Sequence, residues 1–114
     1  MLTVTRKTTD GPVAVIAVAG RLTIGTDNER IETLTREVLE AGATGVVYEL
    51  SGITHIDSTG IGRFISCMTL SLKHRAKIAM AAAPTQVRDA FRVTRLDSVF
   101  RFHDDAGAAV ASFG

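Results

Sequence analysis

Short runs of β-forming residues alternate with helical repeats along this chain, and this alternation constrains the fold more than any other feature. One β-rich run, residues 45–50, is followed after a short loop by apolar residues at helical spacing. The same reading along the whole chain gives the order β-β-α-β-α-β-α-β-α. This order is typical of α/β proteins, so we expect an α/β fold with a mixed sheet of about five strands covered by about four helices.

Turn and capping residues predict the boundaries in the first half. Two apolar segments, residues 2–6 and 13–19, flank Asp10-Gly11-Pro12, which predicts an antiparallel pair near the sheet edge. Thr26-Asp27-Asn28-Glu29 matches a capping box, and Gly42 is a typical helix stop. We therefore expect the first helix between these two signals.

The second half is divided in the same way. A Ser51-Gly52 turn is expected to end the strand at Glu49-Leu50, and a helix is expected from about Ser58 to Lys73. The apolar face predicted for this helix consists of Ile61, Phe64, Ile65, Met68 and Leu72. The elements expected after it are a strand over 78–83, a helix beginning near Thr85, a strand over 99–102, and a helix over 106–113 capped by Asp104-Asp105.

Length and charge exclude several classes of protein. With 114 residues, of which 46% are hydrophobic and 22% charged, the chain fits one domain, expected to span 1–114. Thirteen Lys and Arg against twelve Asp and Glu leave a formal charge of +1, so direct binding to nucleic acid is not predicted. The single Cys67 cannot form an internal disulfide, and the longest apolar run is too short to cross a bilayer. We expect a cytoplasmic protein without membrane insertion.

The sequence contains no recognisable motif for catalysis or for cofactor binding. Gly60-Ile61-Gly62 lacks the third glycine of a dinucleotide fingerprint, and no phosphate-loop ending or metal-ligand spacing is present, so neither cofactor nor metal is predicted. Ser58 is not in a nucleophile elbow, although one of the scattered histidines could approach it in space. Arg88, Arg92 and Arg95 form a basic stripe at helical spacing, which is typical of a solvated face or a protein contact.

Ile56-Asp57-Ser58-Thr59-Gly60-Ile61-Gly62 places two hydroxyls where a helix begins. Considered alone, Ser58 is expected to be an ordinary helix cap, but it could also be modified. The two glycines remove bulk around Ser58, which suits a surface that another protein's active site must approach. Phosphorylation of Ser58 would add roughly two negative charges beside Asp57, enough to disrupt a packed protein contact.

One continuous stretch of the sequence is Val46-Val47-Tyr48-Glu49-Leu50-Ser51-Gly52-Ile53-Thr54-His55-Ile56-Asp57-Ser58-Thr59-Gly60-Ile61-Gly62. It resembles the central strand, loop and phospho-acceptor helix of the STAS domains, which are named for sulfate transporters and anti-sigma factor antagonists. The C-terminal half is similar to the family at Pro84, Val87, Phe91, Leu96-Asp97 and Val99-Phe100. The resemblance spans nearly the whole chain and is greatest to the small stand-alone bacterial antagonists.

The resemblance implies regulation by binding rather than catalysis. In the family, the hydroxyl residue that follows the motif aspartate is phosphorylated, which here selects Ser58. The implied partners are an anti-sigma factor, often itself the serine kinase, and a serine phosphatase that restores the antagonist. The implied partner-binding residues are Asp57, Ser58, Thr59, Gly60, Ile61, Gly62, Arg63 and Thr23. The alternative is a non-switching STAS scaffold or an accessory subunit of a signalling or transporter complex.

Two positions depart from the family pattern. Thr23 stands where such antagonists commonly have an acidic residue, which removes a carboxylate expected near the partner-binding face. Glu49 replaces a frequent aspartate but keeps its charge. The first departure bears on the identity of the partner more than on the fold.

Overall fold

A five-stranded mixed sheet forms the centre of the protein, seen in a computed structural model that describes residues 1–7 and 11–113. The strands, which lie in the sheet in chain order, are β1 (Leu2–Lys7), β2 (Val13–Leu22), β3 (Gly45–Ile56), β4 (Lys77–Ala81) and β5 (Phe102–His103). β1 runs antiparallel to β2, and the other neighbouring strands are parallel. The antiparallel pair expected at the sheet edge is confirmed, whereas Asp10 of its predicted turn lies outside the described residues.

The helices of the described residues are α1 (Glu29–Glu40), α2 (Ser58–Lys73), α3 (Thr85–Val93) and α4 (Ala106–Ala111), and a short 3₁₀ turn spans Leu96–Ser98. The α/β fold expected from the sequence is therefore confirmed, with its mixed sheet and covering helices. The bounds of α2 agree with the prediction from the helical repeat.

The sheet buries different side chains on its two faces. Because successive side chains of a strand point to opposite sides, Ala14, Ile16 and Val18 of β2 join the larger core beneath α1, α2 and α3. Val13 and Val15 join a smaller cluster with residues of α4. The larger core thus supports α2, at whose start the predicted site lies, together with α1 and α3.

A buried set of polar side chains connects α1, β3 and α2 inside the larger core. Thr35 Oγ1 donates a hydrogen bond to the Ile31 carbonyl at 2.7 Å and lies 2.8 Å from the Tyr48 hydroxyl. The Cys67 sulfur is 3.7 Å from the same Thr35 oxygen. Burial raises the pKa of Tyr48 well above its usual value and also raises the pKa of the Cys67 thiol. Both groups are therefore held in their neutral forms.

β3 is longer than the sequence indicates, and the expected Ser51-Gly52 turn is wrong. Pairing with β4 stops at Glu49, but β3 continues along β2 as far as Ile56. A Cβ on Gly52 would lie 2.7 Å from the Cβ of Ala19, so the glycine permits close approach of two strands rather than a turn. As a result, the start of α2 lies beyond the end of β4, next to the loop that leaves β2.

Two other local predictions are also wrong. The capping box does not form, because the Thr26 hydroxyl donates to the Thr23 carbonyl at 2.6 Å and Asn28 caps α1 without a side-chain hydrogen bond. In α2, Ile65 and Leu72 are 43% and 69% exposed, whereas Gly60, Ile61, Phe64, Cys67 and Ser71 are buried. The buried face of α2 thus includes the small residues Gly60 and Ser71, which a search for hydrophobic residues does not identify.

In the C-terminal region, the predicted cap of the last helix is confirmed, whereas the predicted strand differs from the observed one. Asp105 caps α4 by accepting a hydrogen bond from the Ala108 N–H at 2.7 Å, as expected. The bounds of the strand predicted over 99–102 are wrong, because β5 spans Phe102–His103 and shares only Phe102 with the prediction. Arg95 lies beyond the end of α3 with a φ of 61°, so it does not continue a helical stripe with Arg88 and Arg92.

Candidate functional site

Asp57 organises the start of α2. Its backbone is extended, and one carboxylate oxygen, Oδ1, accepts hydrogen bonds from the N–H groups of Thr59 at 2.9 Å and Gly60 at 3.2 Å. These donors belong to the first turn of the helix, which has no intrahelical acceptors for them. Asp57 is therefore the N-terminal cap of α2, and the expectation that Ser58 caps the helix is wrong.

The second carboxylate oxygen of Asp57 ties α2 to a distant loop. Oδ2 accepts a hydrogen bond from the backbone N–H of Ile24 at 2.9 Å, and the Asp57 N–H donates to the Leu22 carbonyl at 3.3 Å. The hydrogen bond from Ile24, followed by those from Gly60 and Thr59, lowers the pKa of Asp57 below its usual value. The carboxylate is therefore ionised at neutral pH and fixed between the β2–α1 loop and α2.

Ser58 is the first residue of α2, and its side chain is exposed. Because Asp57 supplies the cap, the Ser58 hydroxyl is not required for helix termination. Within residues 1–7 and 11–113 it makes no hydrogen bond to protein. The hydroxyl is thus free to be reached by another molecule at the N-terminal end of the helix dipole.

Three of the neighbours that the sequence singled out face the protein interior. Gly60 is buried, and a Cβ there would lie 2.5 Å from the Leu22 carbonyl oxygen. Ile61 is also buried, and Thr59 is half-buried with its N–H bound to Asp57. These three residues fix the position of Ser58 more than they enlarge the exposed surface.

Gly62 and Arg63 differ from each other in their surroundings. Gly62 is exposed, and a Cβ on it would meet no atom within 4 Å. The Arg63 guanidinium instead bonds Asn28 Oδ1 at 3.0 Å and Glu32 Oε1 at 2.8 Å, which joins α2 to α1. Its contact with a partner stays a prediction.

Thr23 begins the loop that Asp57 holds. Its carbonyl accepts hydrogen bonds from the Thr26 N–H at 3.2 Å and the Thr26 hydroxyl at 2.6 Å. The next residue, Ile24, is 78% exposed although its side chain is apolar. Thr23 therefore lies between Leu22 and Ile24, whose backbones both hydrogen-bond to Asp57, and its contact with a partner stays a prediction.

A shallow cleft of about 470 Å³ lies between α2 and α3 and includes Ser58 in its lining. Val93, at the end of α3, lines the same cleft and is 82% exposed. His55 also lines it, but its Nδ1 lies 3.0 Å from Thr54 Oγ1 and 3.4 Å from Arg21 Nη1. His55 and Ser58 therefore line the same cleft, but His55 Nδ1 hydrogen-bonds to Thr54 and Arg21 and not to Ser58.

Sequence reasoning missed both exposed apolar residues at this site. Ile24 and Val93 come from a loop and from a helix end, where an isolated apolar residue carries no periodic signal. The sequence signal that could have identified them is an apolar side chain next to polar residues, outside the predicted apolar faces. Separately, no helix in the part of the chain that the structure describes has the length and apolar character needed to cross a membrane.

Comparison with solved structures shows the same fold. An anti-sigma factor antagonist from Mycobacterium paratuberculosis matches 98% of this chain and 93% of its own, with a TM-score of 0.84 and 20% identity. The Bacillus cell fate determinant SpoIIAA in its phosphorylated form matches 98% of this chain and 100% of its own, with a TM-score of 0.74 and 16% identity. A sulfate transporter family protein from Wolinella succinogenes matches 93% and 88%, with a TM-score of 0.79 and 16% identity.

The sequence itself carries the family assignment. No curated protein matches the chain significantly by sequence. The model of the STAS domain, however, matches residues 4–109, which include α1, α2, α3 and all of the described strands apart from the first two residues of β1. The chain therefore belongs to the STAS domain family.

Proposed function

We propose that this protein is an anti-sigma factor antagonist whose binding to its anti-sigma factor is switched off by phosphorylation of Ser58. The observation that carries the proposal is the exposed Ser58 hydroxyl at the start of α2, which Asp57 relieves of any capping role. The fold that the chain shares with an anti-sigma factor antagonist and with a cell fate determinant in its phosphorylated form supports the proposal.

The physical effect of phosphorylation follows from the position of Ser58. A phosphate would add roughly two negative charges to an exposed helix terminus, where the helix dipole accommodates it and the fold has no need to change. In a packed interface the same group must lose its hydration. A penalty of about 3 kcal/mol would reduce affinity by about two orders of magnitude, which is enough to release a partner.

The proposed partner surface comprises the exposed Ser58 together with two exposed apolar side chains, Ile24 and Val93. Ile24 is held there by the Asp57 carboxylate, and Val93 lines the same cleft as Ser58. Exposed apolar side chains beside a modifiable hydroxyl are suited to a contact that a charge can interrupt. The partners of this surface are an anti-sigma factor serine kinase and a phosphatase that removes the phosphate.

The experiment begins with purified anti-sigma factor kinases of the organism that carries the chain, incubated with the protein and ATP. Mass spectrometry should locate one phosphate at Ser58, and a Ser58→Ala variant should remain unmodified. Ser66→Ala, which changes an exposed serine on the same helix, is the matched control and should be phosphorylated normally. Unchanged phosphorylation of Ser58→Ala would contradict the assignment.

A second function is favoured by the shared fold with the sulfate transporter family protein. In this alternative the chain is a non-switching scaffold or accessory subunit, and the Ser58 hydroxyl has no regulatory role. Copurification distinguishes the two functions. Recovery of transporter subunits, with Ser58→Asp as effective as the unchanged chain, would favour the scaffold.

A further inference from the structure

The two glycines of the first turns of α2 have different physical surroundings. At Gly60, an added Cβ would lie 2.5 Å from the Leu22 carbonyl oxygen and 2.7 Å from Leu22 Cγ. Packing against β2 therefore requires Gly60. At Gly62, an added Cβ would meet nothing within 4 Å, and the backbone is helical with a negative φ.

Gly62 consequently has no reason within the fold to be glycine. It lies inside a helix, where glycine is less favourable than alanine because it loses more backbone freedom on folding. An alanine at this exposed position would fit without a clash. The chain therefore retains a residue that weakens the helix carrying Ser58.

The position of Gly62 relative to Ser58 suggests what this residue provides. Residues four apart lie on the same face of a helix, one turn of about 6 Å along the axis. Both residues are exposed, and the intervening Gly60 and Ile61 are buried. A side chain at position 62 would thus extend from the same face of α2 as the Ser58 hydroxyl, one turn further along the helix.

We infer that Gly62 is a specificity-determining residue whose missing side chain lets the kinase domain of the anti-sigma factor reach the Ser58 hydroxyl. This inference rests on the proposed function, because it assigns a role to the same site. A side chain at position 62 would hold the partner away from Ser58 and misplace the hydroxyl in the kinase active site.

The test compares Gly62→Ala and Gly62→Gln with the unchanged chain in two measurements. In denaturant unfolding, Gly62→Ala should shift the equilibrium towards the folded state by about fivefold, because alanine is the better helix former. With the kinase that phosphorylates the unchanged chain at Ser58, Gly62→Gln should lower kcat/KM by on the order of a hundredfold, and Gly62→Ala should lower it less. Higher stability with slower phosphorylation is the expected signature.

Thr69→Gln is the matched control, because Thr69 is another exposed residue of α2, about 16 Å along the axis from Ser58. It should be phosphorylated at the unchanged rate. Normal phosphorylation of Gly62→Gln, or a loss of stability in Gly62→Ala, would overturn the inference and leave the proposed function intact. If no anti-sigma factor kinase phosphorylates the unchanged chain, the proposed function fails and this inference fails with it.

Discussion

The Asp57 carboxylate accepts a hydrogen bond from the Ile24 N–H at 2.9 Å, and this contact joins the β2–α1 loop to the helix that carries Ser58. The two residues are 33 positions apart in the chain. The other oxygen of the same carboxylate caps α2. One side chain therefore determines where the hydroxyl and the exposed Ile24 side chain stand relative to each other.

Replacement of this side chain should destabilise the protein. Asp57→Ala removes the cap and the loop contact, and we expect the free energy of unfolding to fall by about 1–2 kcal/mol. Asp27→Ala is the control, since Asp27 is an exposed aspartate of the same loop, and its effect should stay within about 0.5 kcal/mol. Denaturant unfolding measures both variants, and equal losses would show that the Asp57 contacts do not stabilise the fold.

The contribution of Asp57 should depend on pH. Its pKa in the folded state is lowered, chiefly by the Ile24 N–H, so the stabilisation is complete above the unfolded-state pKa of about 3.9 and is lost as the pH falls below it. Asp57→Asn, which cannot ionise, should be less stable than the unchanged chain near neutral pH. The difference between the two should shrink in acid, and a constant difference across this range would contradict the prediction.

Gly60→Ala should destabilise the protein even though alanine favours helices. Its Cβ would overlap the Leu22 carbonyl oxygen, which is a backbone atom of β2 and cannot move without disturbing the sheet. We expect a loss of about 1–3 kcal/mol, as is usual for overpacked positions. Gly62→Ala is the comparison in the same helix, and opposite signs for the two substitutions in thermal or denaturant unfolding are the expected result.

Tyr48 should ionise only when the protein unfolds. Burial holds its pKa well above the usual value, so the folded state is disfavoured as the pH rises above the unfolded-state pKa of about 10. Because the chain has one tyrosine, tyrosinate absorbance reports this group alone. The absorbance should rise together with the loss of circular dichroism, and an independent titration near pH 10 in the folded protein would be incompatible with the buried site.

The fold could be predicted because hydrophobic periodicity and turn residues act locally. The β-rich run is apolar because Val46 and Leu50 are buried on one face of the sheet and Val47 on the other. The helical repeat arises because Ile61 and Phe64 are buried on one face of α2. The length of β3 could not be predicted, because Ser51-Gly52 has the composition of a turn. Only the approach of Ala19 from β2, a contact distant in sequence, shows why glycine occupies that position.

The start of α2 was predicted correctly, but the roles of Asp57 and Ser58 at that helix terminus were not. Asp57 and Ser58 are both residues that cap helices, and local sequence does not decide between them. The decision depends on the Ile24 N–H, which reaches the site through the fold and favours the carboxylate. The exposed Ser58 hydroxyl is a consequence of that non-local contact.

The buried position of Cys67 gives this protein an internal reporter of motion. Cys67 is the single cysteine of the chain, it is fully buried on the core-facing side of α2, and its thiol is held neutral. A thiol reagent can react with it only when α2 moves away from the core, because the thiolate is the reactive form and must reach solvent. The rate at which Cys67 is labelled in the unchanged chain therefore reports how often α2, the helix that carries Ser58, opens. A partner that binds α2 and prevents this opening would slow the labelling without contacting the cysteine.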